Sequence, residues 1–279
     1  LSEVWVALGL YLMLRELGAS SPGPARTSRF GPYALGLVIG LAFLTKVWGY
    51  VLAPAAAVMV LLHWRRAGWR PALLRAAQIF GPALALGALY WGRNWVVCGP
   101  ADFLCGQWHN QVVLGQPRTA EWVARIGWAG YLESFGRTTF QSFWGQFGWM
   151  GVVMDQRVYG ALALFSLALV IGLGLAVGQF RGQLAARWDG LLVLAAVAAV
   201  TLALYFYYNA MFVQFQGRYL FSALVPLGLA AAASLDAYGR WAEARLRRRL
   251  GWLIPAGALA ALAGLCVFAL YRFILPALT

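Results

Sequence analysis

Two basic residues of this sequence stand apart from its other charges and could bind an anion. Lys46 interrupts a long apolar stretch and Arg218 begins another, so both fall near membrane ends if these stretches cross a bilayer. A cation next to lipid is costly and usually has a function. Two cations in a cavity with aromatic walls would bind a phosphate or diphosphate, because the arginine fork donates paired hydrogen bonds. Alternatively, the side chains snorkel to the surface or pair with Glu133 or Asp155.

Other polar residues could contribute to such a site. Gln216 and Tyr219 lie beside Arg218 and could add hydrogen bonds, although helix packing is the simpler explanation for either residue alone. His109 lies in a polar stretch with several carboxylates and could bind a divalent metal. No ligand spacing in the sequence supports a metal site, and no cofactor is firmly implied.

The sequence contains three cysteines, of which Cys98 and Cys105 are separated by six residues that include Gly99-Pro100. In an oxidising compartment these two either form a disulfide that closes the small loop or remain free thiols. Cys266 lies in the middle of an apolar run and is most simply a buried, small apolar residue.

The composition indicates an integral membrane protein. Of the 279 residues, 62% are hydrophobic and only 11% are charged. Apolar runs long enough for a ~30 Å hydrocarbon core recur along the sequence, and they are continuous rather than alternating, which predicts helices and not barrel strands. The net charge of +13 comes mainly from arginines between these runs, which is typical of cytoplasmic anchoring. No nucleic-acid-binding module is recognisable.

The apolar runs predict an all-α polytopic membrane protein with about eight transmembrane helices, in a single transmembrane domain over residues 1–279. Basic residues flank the second run on both sides, so the positive-inside rule requires an even number of crossings there. We expect a hairpin of two short helices with Lys46 at its outer turn; one tilted helix with Lys46 snorkelling is the alternative. The predicted helices cover residues 1–17, 33–44, 47–62, 73–91, 158–177, 191–208, 218–235 and 252–275.

A long polar stretch over residues 93–157 separates two apolar runs and carries four of the nine acidic residues. The distribution of Lys and Arg places this loop and the C-terminus on the extracytoplasmic side. Within the loop, residues 119–149 have aromatic and aliphatic side chains at helical spacing, which predicts an interfacial helix with breaks at its glycines. The loop also contains Asp102, His109 and Glu121, and we expect it to be the functional face.

Four motifs resemble those of GT-C membrane glycosyltransferases, notably the bacterial relatives of protein O-mannosyltransferases. Residues 40–46, GLAFLTK, with Pro54 further on, look like the "GLa-LTK…P" segment of that family. Residues 91–95, WGRNW, followed by Gly99-Pro100, are similar to its "RN…GDP" entry into a late periplasmic loop. Residues 215–221, FQGRYLF, with Pro226 resemble its late "RY…P" helix, and residues 143–149 have analogues there too. Together the motifs match the C-terminal portion of such an enzyme.

This resemblance implies an inverting transferase of the bacterial inner membrane that uses a polyprenyl-phosphate-linked sugar on the extracytoplasmic side. By the same resemblance, Lys46, Arg93, Arg218 and Tyr219 would face the phosphate of the donor, within reach of membrane lipid. The catalytic acidic residue of the family lies in a first outer loop that has no counterpart in this sequence. Glu3 either matches an acidic position that the family often has at this helix end or is a simple helix-end charge.

Glycosyl transfer needs a base for the acceptor hydroxyl and a cation for the leaving phosphate. The base stays open among Glu3, Asp102, Glu121 and His109. Asp102 is shifted by one inserted residue from the loop Asp of the family, which leaves its role open.

The sequence begins with Leu1 inside an apolar run, so we expect the chain to be the C-terminal part of a longer protein. Two other functions remain open. One is a non-catalytic subunit that packs against partner membrane subunits. The other is a transporter or flippase for a lipid-linked substrate, which a broken hairpin at Lys46 favours.

Overall fold

A computed structural model gives the structure of the chain and describes residues 1–19, 30–113 and 115–278. These residues form an all-α protein with one short β-hairpin, as predicted for the fold class. The helices are α1 (Ser2–Ala19), α2 (Gly31–Thr45), α3 (Leu52–Ala67), α4 (Trp69–Cys98), α5 (Gly106–Val112), α6 (Thr119–Gly145), α7 (Gln156–Gln179), α8 (Arg181–Ala186), α9 (Trp188–Met211), α10 (Leu224–Leu246), α11 (Leu253–Ala269) and α12 (Leu275–Leu278). Strands β1 (Gln146–Phe147) and β2 (Val152–Val153) pair antiparallel between α6 and α7. Short 3₁₀ segments cover Val47–Val51, Pro100–Asp102 and Gly217–Ala223, and a π-helical turn covers Leu270–Ile274.

Six helical segments in the described part of the chain are long and apolar enough to cross a bilayer, which supports a multi-pass membrane protein. The other two predicted crossings fall short for different reasons. Helix α2 has only 15 residues, and the 18 residues of α1 include three charged side chains. The count of about eight therefore stays a prediction. The six segments are Val47–Ala67, Trp69–Cys98, Gln156–Gln179, Trp188–Met211, Gly217–Leu246 and Leu253–Ala277.

The chain forms two compact units. Unit 1 consists of Leu1–Glu121, Arg187–Val213 and Phe221–Val225, and so contains α1 to α5 and α9. Unit 2 consists of Trp122–Ala186, Gln214–Leu220 and Pro226–Thr279, and so contains most of α6, the β-hairpin, α7, α8 and the helices after α9. Lys46 belongs to unit 1, and Arg218 belongs to unit 2.

Helices α2 and α4 of unit 1 pack closely and run in the same direction. Gly36 lies against the carbonyl of Ile79 and Gly40 lies against Leu86, so residue numbers rise together along both helices. The missing Cβ of glycine allows this close approach. Apolar side chains of α1 to α4 and α9 fill the core around this pair.

Lys46 interrupts the helix and forms the turn of a helical hairpin, as predicted. Its backbone is extended, with φ −167° and ψ 149°, which ends α2 and starts the 3₁₀ turn before α3. Gly31 at the start of α2 lies next to Glu16, and His63 near the end of α3 lines a small cavity with the same Glu16. The start of α2 and the end of α3 therefore lie together, and the two helices are antiparallel. The second helix is longer than the predicted 47–62, since Val47–Ala67 spans 21 residues.

Ion pairs stabilise the end of unit 1 that lies opposite Lys46. Arg75 of α4 pairs with Glu16 of α1 at 2.8 Å, and Arg66 of α3 pairs with Asp189 of α9. The Glu16 side chain is 10% exposed, so water screens its pair with Arg75 less than a surface pair. These two pairs tie four helices of unit 1 together at one end.

Helix α4 continues beyond the predicted end of its apolar run at residue 91. Its 30 residues correspond to about 45 Å, which exceeds the ~30 Å hydrocarbon core. Arg93 consequently lies in the last turns of a helix and not at the start of a loop.

Helix α6 of unit 2 breaks at Gly127, where φ is 73°, and ends at Gly145. The predicted helix over 119–149 therefore forms with a kink, but its last residues belong to the β-hairpin, and its interfacial position stays a prediction. Gly148, Trp149 and Met150 all have positive φ, which prevents a right-handed helix from continuing.

Candidate functional site

The segment Gln214–Leu220, which we call the Arg218 segment, is fixed to α6 within unit 2. The backbone N–H of Gly217 donates to the Ser142 hydroxyl at 2.7 Å. That hydroxyl lies 2.6 Å from the carbonyl oxygen of Thr138 and can donate to it. A Cβ at position 217 would collide with backbone atoms of Thr139 and Phe143. The absence of a side chain at Gly217 thus lets the Arg218 segment lie directly on the backbone of α6.

Aromatic packing holds the same segment from a second side. Phe215 is 6% exposed, and its ring contacts Tyr131 and Phe135 edge to face, at centroid distances of 5.2 Å and 5.3 Å. Edge-to-face pairs of this kind add stability beyond the burial of their area. The aromatic side chains predicted for an interfacial helix therefore provide, in part, a base for the Arg218 segment.

Arg218 itself is exposed and has two aromatic neighbours. Its guanidinium carbon lies 5.8 Å from the ring centroid of Trp149 and 5.7 Å from that of Tyr219. Trp149 is 92% exposed and lies in the turn of the β-hairpin. Of the residues described, none forms an ion pair with Arg218. The positive charge remains available to an anionic ligand.

The predicted alternative, an ion pair of Arg218 with Glu133 or Asp155, does not form in the structure. Glu133 pairs with Arg137 one helical turn away at 3.4 Å. Asp155 caps α7 and accepts the Arg157 backbone N–H at 2.7 Å. Both carboxylates therefore have local roles.

Side-chain amides surround the base of the Arg218 segment. The Gln214 carbonyl oxygen accepts from the Gln216 amide at 2.7 Å and from the Tyr219 hydroxyl at 3.4 Å. The side-chain carbonyl oxygens of Gln216 and Gln146 are buried and have no hydrogen-bond partner among the described residues. Buried acceptors without a donor cost free energy. A ligand that carries hydroxyl groups would supply the missing donors.

A second polar cluster lies at the Lys46 end of unit 1. Phe43 of α2 lies beside Trp91 of α4, at a centroid distance of 5.6 Å. Because α2 and α4 run in the same direction, Lys46 stands at the level of Arg93 and Asn94, one turn further along. Lys46 and Arg93 are both exposed. The helix register therefore brings two predicted phosphate-binding cations to one end of unit 1.

Asn94 is a site residue that sequence analysis named only as part of a motif. Its side chain is fully buried, and its carbonyl oxygen accepts from the Arg93 guanidinium at 3.2 Å. The amide nitrogen of Asn94 has no partner in the described part of the chain. Asn94 shares the buried stripe of α4 with Ile79 and Ala83. A polar amide on an otherwise apolar helix face was the signal that could have identified it.

Aromatic side chains surround the Lys46 end of unit 1. The Trp91 ring N–H donates to the Tyr50 hydroxyl at 2.7 Å. Phe43 packs on Tyr50 with a centroid distance of 4.5 Å, and Phe103 contacts the edge of Trp91. These contacts hold the break at Lys46 against the end of α4.

Glu3 lies at the same end of unit 1. Gly9 of α1 packs on Leu52 of α3, so Glu3, about one and a half turns earlier, stands near the level of the break at Lys46. One carboxylate oxygen of Glu3 accepts from the Ser2 hydroxyl at 3.0 Å. The other oxygen is buried, and no described residue bonds to it. A carboxylate with one unsatisfied oxygen can accept a proton or a hydrogen bond from a ligand.

Asp102 stabilises the loop after α4 through hydrogen bonds from backbone N–H groups. Its carboxylate accepts the backbone N–H of Trp108 at 2.7 Å. The N–H groups of Gln107 and Gly106 also bond to it, and together these donors hold the pKa of Asp102 below its usual value. The carboxylate thereby caps α5, next to the disulfide that joins Cys98 and Cys105 across a Cα–Cα distance of 5.5 Å.

His109 and Glu121 are the remaining loop candidates, and both are exposed. His109 lies beside the rings of Tyr208 and Phe212, with centroid distances of 6.5 Å and 6.1 Å. Glu121 lies in the first turn of α6. Across residues 1–19, 30–113 and 115–278, the acidic, histidine and cysteine side chains form no group of three that could hold a metal ion.

The predicted residues thus form two sets. Lys46, Arg93 and Glu3 lie at one end of unit 1, whereas Gln216, Arg218 and Tyr219 lie in unit 2. That the two sets meet in one cavity stays a prediction.

No protein family matches the chain, and no protein of curated function and no solved structure is significantly similar to it. The resemblance to GT-C transferases therefore depends on the four sequence motifs.

Proposed function

We propose that this multi-pass membrane protein is a GT-C-type glycosyltransferase, or its C-terminal portion, in the bacterial inner membrane. It transfers a sugar from a polyprenyl-phosphate donor to an acceptor on the extracytoplasmic side. The observation that carries the proposal is the setting of Arg218. This exposed cation lies near two aromatic rings, without an ion pair to a described residue, on a segment fixed by Ser142 and Phe215.

The chemistry of the donor fits the two polar clusters. The leaving group is a phosphate ester, and guanidinium and ammonium groups stabilise the charge that develops on it. Arg218 of unit 2 and Lys46 and Arg93 of unit 1 carry such groups, and Tyr219 lies beside Arg218. The unsatisfied carbonyl oxygen of Gln216 suits a hydroxyl of the sugar or of the acceptor.

The reaction breaks the bond between the anomeric carbon of the sugar and the phosphate oxygen. The polyprenyl phosphate leaves with the electron pair, and the acceptor oxygen forms the new bond to the anomeric carbon. The acceptor proton passes to a base, for which Glu3 is the first candidate because one of its oxygens is buried without a described partner.

Binding of undecaprenyl phosphate to the purified full protein tests the donor site. We expect Arg218→Gln to weaken binding by about 10- to 100-fold, because a charge-assisted hydrogen bond contributes ~1.5–3 kcal/mol. Arg218→Lys should recover only part of this loss, since lysine lacks the fork. Arg137→Gln is the matched control, because it removes an equal charge from an exposed site on α6.

Sugar transfer in membrane vesicles distinguishes the transferase from the other functions. Extracts that contain polyprenyl-phosphate sugars should yield a glycosylated acceptor with the wild-type protein and not with Arg218→Gln. Undecaprenyl-phosphate binding that is equal in the Arg218→Gln and Arg137→Gln proteins would refute the donor site. Movement of the lipid across vesicles without sugar transfer would instead identify a transporter. Assembly with partner subunits that needs neither Lys46 nor Arg218 would identify a structural subunit.

A further inference from the structure

A groove runs between α7 and α11 on the surface of unit 2. Its volume is about 460 Å³, which is in the range of pockets that hold organic ligands. One wall is formed by residues of the first half of α7 and the other by residues of α11. The groove is lined by Arg157, Val158, Ala161, Leu162, Phe165, Ala258, Ala261, Leu262, Leu265 and Phe268.

Small side chains create the depth of this groove. Ala161 on α7 and Ala258 and Ala261 on α11 stand where larger residues would close the space between the helices. Apart from Arg157, every lining residue is apolar. The ligand must therefore present a hydrocarbon surface along most of its length.

Arg157 gives the groove one charged end. It lies in the first turn of α7 and is exposed. Its backbone N–H bonds to the Asp155 carboxylate, but no described residue forms an ion pair with its guanidinium group. The exposed guanidinium of Arg157 is therefore available to an anionic ligand at this end of the groove.

The length of the groove matches one leaflet. On the α11 side it extends from Ala258 to Phe268, which corresponds to about 15 Å of helix, or roughly half of the hydrocarbon core. The charged end lies where α7 begins and therefore at headgroup level. A single acyl chain of one leaflet fits this length, whereas a polyprenyl chain is longer than one leaflet and would extend beyond the groove.

We infer that this groove is a binding site for an anionic diacyl phospholipid, with one acyl chain between α7 and α11 and the phosphate at Arg157. Guanidinium–phosphate hydrogen bonds select the anionic lipid, and the apolar walls bind its chain. The site does not depend on the proposed transferase activity, because it contains none of the donor-site residues.

Native mass spectrometry of the full protein, titrated separately with palmitoyl-oleoyl phosphatidylglycerol and with the corresponding phosphatidylcholine, tests this inference. We expect wild type to bind phosphatidylglycerol about tenfold more tightly than phosphatidylcholine. Arg157→Gln should abolish most of this preference. Arg181→Gln, which removes the same charge beyond the other end of α7, should leave the preference unchanged.

A second pair of variants tests the acyl-chain position. Ala161→Leu fills the groove and should weaken binding of both lipids, whereas Ala163→Leu changes the same helix outside the groove and should not. Thermal unfolding checks that each variant is folded.

Equal affinity for the two lipids, or equal behaviour of Arg157→Gln and Arg181→Gln, would overturn the inference. Undecaprenyl-phosphate binding that weakens in Arg157→Gln and Ala161→Leu, but not in Arg181→Gln and Ala163→Leu, would also overturn it and assign the groove to the donor lipid. Loss of lipid binding in both Ala161→Leu and Ala163→Leu would mean that the acyl chain binds outside the groove, which would also overturn the inference.

Discussion

Gly217 and Ser142 are joined by a 2.7 Å hydrogen bond across 75 residues of sequence. In this bond, the backbone N–H of Gly217, the residue before Arg218, donates to the hydroxyl of Ser142 on α6. It fixes the position of the arginine backbone relative to the β-hairpin that carries Trp149. A backbone held in this way needs little further ordering when a ligand binds to the Arg218 side chain, which favours affinity.

Gly217→Ala should displace the Arg218 segment. The added methyl group meets the backbone of Thr139 and Phe143, which cannot rotate away, so we expect a loss of about 1–3 kcal/mol. The apparent melting temperature of the purified protein should fall, and undecaprenyl-phosphate binding should weaken with it.

Gly136→Ala is the matched control for this prediction, because it lies on α6 and an added Cβ there meets nothing within 4 Å. It should maintain or raise stability, since alanine favours helix more than glycine does. A Gly217→Ala protein as stable as wild type would show that the segment does not lie on α6.

Glu3→Gln should separate catalysis from binding. If Glu3 takes the acceptor proton, sugar transfer should fall by at least about 100-fold, while undecaprenyl-phosphate binding remains. Glu133→Gln, at an exposed residue that pairs with Arg137, serves as the control. Full transfer activity in Glu3→Gln would move the assignment of the base to Asp102, Glu121 or His109.

Asp102 should make the order of α5 depend on pH. Its pKa is lowered by backbone N–H donors in the folded chain. The stabilisation is therefore fully present above the ordinary value of ~3.9 and is lost as the pH falls through the lower folded value. Amide exchange of Gly106 to Trp108, corrected for intrinsic rates, should stay slow at pH 5 and accelerate only below pH ~4.

Asp102→Asn should remove this pH dependence and leave these amides less protected at neutral pH. Exchange of the same amides that accelerates near pH 6 would point to a histidine and not to Asp102.

The disulfide should be visible as a thiol count. The sequence contains three cysteines, and the bond between Cys98 and Cys105 leaves Cys266 as the free one. Maleimide labelling of the unreduced, denatured protein should modify one thiol, and labelling after reduction should modify three. Opening the bond frees a short loop and should cost about 2–3 kcal/mol.

Cys98→Ser should accordingly increase the rate of amide hydrogen exchange over the range Pro100 to Val112 and leave the exchange of α7 unchanged. Three reactive thiols before reduction would contradict the disulfide, and with it the oxidising compartment in which such a bond forms.

The sequence alone predicted the parts of the fold that follow from hydropathy and charge. The all-α class is confirmed, and the break at Lys46 was predictable because basic residues on both sides of one apolar run require a return. The end of α4 could not be predicted in this way, since Arg93 and Asn94 are polar yet lie in a helix that continues beyond the apolar run. The end of α6 was missed because three consecutive positive φ values at residues 148–150 include the non-glycine residues Trp149 and Met150.

The candidate site was predictable residue by residue, but not as a set of contacts. Arg218 and Tyr219 could be named from charge placement and from a motif. Their support by Ser142 and Phe215 depends on pairs that are about 75 residues apart, which no local pattern reveals. Asn94 shows the same limit, because its burial depends on how α4 packs and not on its neighbours in sequence.

The free thiol of Cys266 has a practical consequence. The prediction that Cys266 is buried was wrong, because it is exposed on α11 directly after Leu265, a residue of the groove wall. With the other two cysteines joined, a nitroxide or fluorophore can be attached there without engineering any residue. Such a probe would sit in the hydrocarbon region itself and report, in the native sequence, how deep that helix lies and when a neighbour arrives beside it.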